Sequence, residues 1–90
     1  MKKSANIKVL GKVQGVNFRY NTQVAAKQMG ITGFVKNMED GSVFIEAEGE
    51  ETDLEKFIDW CHKGPSSAWV KDLKVDYKPV SGHDKFQIRY

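Results

Sequence analysis

The stretch Ile7-Lys8-Val9-Leu10-Gly11-Lys12-Val13-Gln14-Gly15-Val16-Asn17-Phe18-Arg19 changes its period midway, and the fold is read from that change. Ile7, Val9 and Val13 stand at even spacing, which predicts a half-buried strand, with Gly11 either weakening it or permitting a close approach. After Gln14-Gly15-Val16-Asn17 the inward-facing set recurs at three and four residues, through Phe18, Thr22, Ala25, Ala26 and Met29. Gly30 follows where the C-terminal glycine of a helix belongs. A strand, a short glycine-containing loop and a helix succeed one another here.

Working outward, Ile31 to Lys36 is rich in β-formers, Asp40-Gly41 is a tight-turn dipeptide, and Ser42 to Glu48 alternates Val43, Ile45 and Ala47 against Phe44, Glu46 and Glu48. That pattern predicts a β-hairpin. Thr52 with Glu55 forms a capping-box pattern, and Leu54, Phe57, Ile58 and Cys61 line one helical face before Gly64-Pro65 stops it. Trp69 to Lys78 carries Leu73, Val75 and Tyr77 at period two, and after a polar loop Phe86-Gln87-Ile88-Arg89-Tyr90 alternates again. The order βαββαβ with a further short C-terminal strand predicts an α+β, ferredoxin-like sandwich: an antiparallel sheet with two helices on one face. No repeat, low-complexity tract or linker interrupts residues 1–90, so one domain is expected.

A chain of 90 residues, 40% hydrophobic and 29% charged, is composed like a globular protein. It buries roughly 60–65% of the surface its unfolded form exposes, enough for one core and one site. No apolar run approaches the ~20 residues of a membrane helix, and Met1 to Asn6 leads into alternation rather than a signal-peptide block, so a cytoplasmic protein is expected. The single cysteine, Cys61, allows no intrachain disulfide, and beside one histidine it lacks the ligand count of a zinc site; no metal and no cofactor are expected. The 14 basic and 12 acidic residues are dispersed, which suits a small anion better than a nucleic acid, whose counterion release rewards clustered Lys and Arg. A small domain of this kind needs no partner, and a monomer is expected.

Chemistry is concentrated where the first strand gives way to the first helix. A loop at a helix N-terminus leaves amide N–H groups without backbone partners, and with the helix dipole these form an anion site. Arg19 adds a planar cationic fork suited to a phosphoryl group. Alone this is weak evidence, since many strand-to-helix turns carry glycine and a first-turn arginine is usually solvated. The second informative segment is Gly33-Phe34-Val35-Lys36-Asn37-Met38-Glu39-Asp40-Gly41-Ser42-Val43. Together the two resemble the acylphosphatase family, whose first signature appears as Gly11 to Arg19 and whose second appears as Gly33 to Gly41. The resemblance extends through Thr22, the Gly64-Pro65-Ser66-Ser67 turn and the Phe86 to Tyr90 ending.

The resemblance implies hydrolysis of the carboxyl-phosphate anhydride of acyl phosphates to a carboxylate and inorganic phosphate. It makes Gly15, Val16, Asn17, Phe18 and Arg19 the phosphate-binding loop, Arg19 the catalytic arginine and Asn37 the residue that orients the water nucleophile. Phe34 stands where family members often carry tryptophan, Asn17 fills the variable loop position, and Trp69 occupies a place where a basic residue is common. The chemistry agrees with the inventory. An arginine, an asparagine and amides stabilise charge and hold water but do not shuttle protons near neutrality, so the leaving group must depart unprotonated. A carboxylate, with a pKa around 4, does so.

Other readings are plainer or belong to another class. Asp40-Gly41 is scaffold, Cys61 a small core residue, and neither His62 nor His83 receives a role. Trp60, Trp69, Phe44 and Tyr77 could serve as base-stacking rings on a fold shared with the RNA-recognition module, but Ser42 to Glu48 offers one aromatic flanked by acids rather than that module's basic-aromatic run. A regulatory anion-binding domain would need Arg19 and the amides, yet has no use for Asn37. A related module also occurs inside larger carbamoyl-transfer proteins.

Overall fold

The computed structural model describes residues 1–90 throughout. Seven elements follow in order: β1 Lys2–Lys12, α1 Phe18–Gln28, β2 Thr32–Asn37, β3 Val43–Glu50, α2 Glu51–Lys63, β4 Trp69–Lys78 and β5 Phe86–Arg89. The strands form one sheet in the order β4-β1-β3-β2-β5. Alternation turns Ile7, Val9, Val35, Val43 and Ile45 to one face, where all are fully buried. On that face α1 covers β2 and β5, while α2 covers β1, β3 and β4. Phe18 and Ala26 from α1, with Leu54, Phe57 and Cys61 from α2, close the core. Each large side chain so buried is worth roughly 1.5–3 kcal/mol, and these contacts, more than helix propensity, hold the helices in place.

β1 begins earlier than the apolar alternation announces. Lys2 to Asn6 pairs with Glu50 to Glu46 of β3, and Ser4 to Asn6 pairs with β4 as well. Central position in the sheet, not local hydrophobicity, makes this polar segment a strand. The close approach anticipated at Gly11 is real: with φ 130°, a Cβ there would lie 2.2 Å from the Trp69 carbonyl oxygen. The register between β1 and β4 shifts at Leu10/Gly11, beside this contact.

Two expectations are corrected. The capping box of Thr52 and Glu55 is not formed, because β3 runs directly into α2, whose N-cap is Glu50 without a side-chain cap. The helix start is held instead by the Glu51 N–H donating to the Met1 carbonyl at 3.2 Å and by Lys3 pairing with Glu51 at 2.6 Å. Glu51 and Asp53 place negative charge against the helix dipole. The sheet is also mixed rather than antiparallel, since β5 pairs parallel with β2. After β4 the chain crosses the sheet and enters at the opposite edge; this single reversal gives β5 the direction of β2.

Glu48 anchors that crossover. It lies on the face away from the helices, 2% exposed, and its carboxylate accepts the backbone N–H groups of Ser81, Gly82 and His83, the last two at 3.0 Å. Glu46, two residues earlier, pairs with Lys78 at 2.7 Å and with the His83 ring. Phe34 packs on the same face against Phe44, His83 and the Arg89 guanidinium, which stands 3.8 Å from its ring centre. The residue in the tryptophan position is thus packing between β2 and β5.

Candidate active site

The loop between β1 and α1 takes its shape from two left-handed residues. Gly15 has φ 74°, and Asn17, the N-cap of α1, has φ 61° and ψ 26°, the one positive φ outside glycine. Asparagine tolerates this region better than most residues, and it is held here although the side chain makes no capping bond. No hydrogen bond within the protein takes up the backbone N–H groups from Gly15 to Tyr20, the last three of which are first-turn groups without an intrahelical acceptor. Successive free amides in a loop that alternates handedness are a geometry that favours anions, and here they coincide with the positive end of an 11-residue helix. Ser67 Oγ donates to the Val16 carbonyl at 2.8 Å and braces the loop from the α2–β4 connection.

Arg19 lies in the first turn of α1. Its Nη1 donates to the Arg89 carbonyl at 3.2 Å, and its guanidinium carbon sits 4.6 Å from the centre of the Tyr90 ring. Gln23, one helical turn on, donates to the Phe86 carbonyl at 3.1 Å. The last strand thus fixes the direction of the guanidinium and leaves most of its donors uncommitted.

Asn37 ends β2, opposite Val43, at the neck of the hairpin. The turn beyond it closes by Met38 N–H to the Ser42 carbonyl at 2.8 Å and Gly41 N–H to the Met38 carbonyl at 3.2 Å. Asp40 accepts from the Ser42 backbone N–H at 2.9 Å and pairs with Lys8 at 2.8 Å. The hydrogen bonds from Lys8 and then Ser42 hold the Asp40 carboxyl well below the usual carboxylate range. Asp40-Gly41 is scaffold, as its sequence suggests.

A cavity of about 190 Å³ joins these parts, lined by Val13, Gly15, Asn17, Phe18, Arg19 and Asn37. Since a water takes about 30 Å³ of liquid, this space accommodates a tetrahedral oxyanion with a water beside it. Of the residues singled out in the sequence, Gly15, Asn17, Phe18, Arg19 and Asn37 meet here; Val16 belongs to the loop but does not line the cavity. A wider groove of about 550 Å³ adjoins at Asn37 and is walled by Lys36, Met38 and Tyr90 among others.

A profile of the acylphosphatase family matches residues 5–88. An acylphosphatase of Thermotoga maritima is 47% identical over 88 residues, which are 98% of each chain. This chain belongs to the acylphosphatase family. The crystal structure of acylphosphatase from Bacillus subtilis superposes with a TM-score of 0.95 at 40% identity, covering all of both chains. The acylphosphatase fold is also found within a much larger protein: full-length HypF, in its phosphate- and nucleotide-bound form, matches all of this chain with 12% of its own length, at 29% identity and a TM-score of 0.89.

Glu46, Glu48 and His83 form the one grouping of three ligating side chains, on the opposite face of the sheet. Its charges are already compensated by Lys78 and by three backbone N–H groups. Cys61 is completely buried, and burial pushes its thiol far above the usual range, as befits a core residue. Three contributors to the site were not legible in the sequence as such: the Arg89 carbonyl, the Tyr90 ring and the side chain of Gln14, which donates to the Met38 and Ser42 carbonyls. Each acts across a sequence separation that local patterning does not report.

Proposed function

We propose that this domain hydrolyses acyl phosphates by gripping the phosphoryl group with Arg19 and the amides of Gly15 to Arg19, while the Asn37 carboxamide orients the attacking water. The single cavity lined by Gly15, Asn17, Phe18, Arg19 and Asn37 is the observation that supports these roles. Phosphoryl transfer asks mainly for positioning and for stabilisation of charge on the equatorial oxygens. Guanidinium and amide donors supply that charge stabilisation without moving a proton. A carboxylate leaving group needs no general acid at neutral pH, whereas the alkoxide of a sugar phosphate would. The same proposal takes residues 1–90 as one domain, acting as a cytoplasmic monomer on a free small molecule, with inorganic phosphate as product and neither nucleic acid nor membrane as partner. In its favour, the basic residues are dispersed along the chain, and no helix is long and apolar enough to cross a membrane.

The test is hydrolysis of benzoyl phosphate, with and without chelator, by wild type, Arg19→Ala, Arg19→Lys and Asn37→Ala. Wild type is expected to turn over in chelator. Arg19→Lys is expected to fail despite its charge, because an ammonium does not reproduce the fork. Asn37→Ala is expected to keep inhibition by inorganic phosphate while turnover falls about 10²–10³-fold, the usual effect of deleting one positioned group. Turnover retained in Asn37→Ala removes its role. A wild type that binds phosphate without hydrolysis would be an anion-binding domain instead.

A further inference from the structure

Gln14 immediately precedes the anion loop, and it is half-buried between that loop and the β2–β3 hairpin. Its side-chain nitrogen carries two protons, and both are used: Nε2 donates to the Met38 carbonyl at 2.7 Å and to the Ser42 carbonyl at 2.8 Å. Those carbonyls stand on the two sides of the hairpin neck, each one residue beyond the Asn37–Val43 pair that ends the ladder. The remaining side-chain bonds near the site run elsewhere. Ser67 ties the loop to the α2–β4 connection, and Lys8 with Asp40 ties the hairpin to β1. Gln14 therefore bridges the two walls of the cavity directly.

We propose that Gln14 is a positioning residue that sets the separation between Asn37 and the phosphate-binding loop. This rests on the water-orienting role of Asn37 proposed above. An error of about 1 Å in such a placement commonly costs about 100-fold in rate. The two carbonyls do not depend on Gln14 for satisfaction, since Ser42 also receives the Met38 N–H and Met38 the Gly41 N–H. Removing the carboxamide thus loosens the bridge without orphaning a buried acceptor, and stability should change little.

The experiment compares Gln14→Met, which keeps the length and loses both donors, in wild-type and Asn37→Ala backgrounds, using benzoyl phosphate turnover and inhibition by inorganic phosphate. In the wild-type background kcat is expected to fall at least tenfold, toward the about 100-fold of a misplaced group. Phosphate inhibition should be unchanged. In the Asn37→Ala background the same substitution is expected to cost no more than about twofold, because its effect passes through Asn37. Unchanged kcat in Gln14→Met while Asn37→Ala is slow overturns this inference alone; an undiminished penalty in the double variant overturns it too. Fast turnover in Asn37→Ala instead overturns the role of Asn37 on which it rests. If Gln14→Met does not fold, Gln14→Glu decides the matter: its carboxylate faces two carbonyls, so its turnover relative to wild type should rise as pH falls and the protonated carboxyl regains a donor. A ratio independent of pH overturns the inference.

Discussion

Replacing Glu48 with alanine separates the crossover from the sheet, and its cost is worked from three hydrogen bonds. The carboxylate accepts from Ser81, Gly82 and His83, and it is 2% exposed. Bonds to a charged acceptor are each worth roughly 1.5–3 kcal/mol, but Ser81 and Gly82 lie at the surface, where water can replace the lost acceptor. At about 1 kcal/mol per bond after that replacement, the loss is about 3 kcal/mol, which lowers the melting temperature of a domain this size by about 12–24 °C. Acidity supplies an internal control. Burial raises the Glu48 carboxyl, but the backbone donors outweigh it, and the pKa lies below its ordinary value. Stability from a carboxylate depressed on folding is complete above the unfolded pKa of about 4.3 and is lost as pH falls through the folded one. The gap between wild type and Glu48→Ala in thermal or urea unfolding should therefore narrow below pH 4. A loss under about 1 kcal/mol at pH 7, or a gap that stays constant into acid, would refute the tether.

Gly11→Ala should cost roughly 2–4 kcal/mol, combining backbone strain at φ 130° with a Cβ driven against the Trp69 carbonyl. The urea midpoint measures it, and an unchanged midpoint would mean that β4 moves aside freely. Cys61→Ser introduces a hydroxyl into a fully buried apolar site and should cost about 1–3 kcal/mol in the same assay. The native thiol should resist labelling by a thiol reagent until the chain unfolds; rapid labelling of folded protein would contradict its burial.

The elements were legible in the sequence wherever one periodicity ran uninterrupted. Val43, Ile45 and Ala47 point inward along β3, and Leu54, Phe57, Ile58 and Cys61 form the buried stripe of α2, because alternation and helical spacing are local consequences of backbone geometry. The glycine-containing loop, Arg19 and Asn37 could likewise be singled out by residue type. Their convergence could not. It depends on β1 and β2 lying on either side of β3, which brings the loop after β1 and the end of β2 to one end of the sheet.

The sequence by itself determined the two helices, the hairpin at Asp40-Gly41 and the glycine-containing loop between β1 and α1, since each follows from contacts within a few positions. Tertiary structure alone decided the parallel edge made by β5, the start of α2 without its capping box, and the hold of Arg89 and Tyr90 on Arg19. Those outcomes come from contacts between groups far apart in the chain, Gly33 with Phe86, Met1 with Glu51 and Arg19 with Arg89, and no local propensity encodes which of them form.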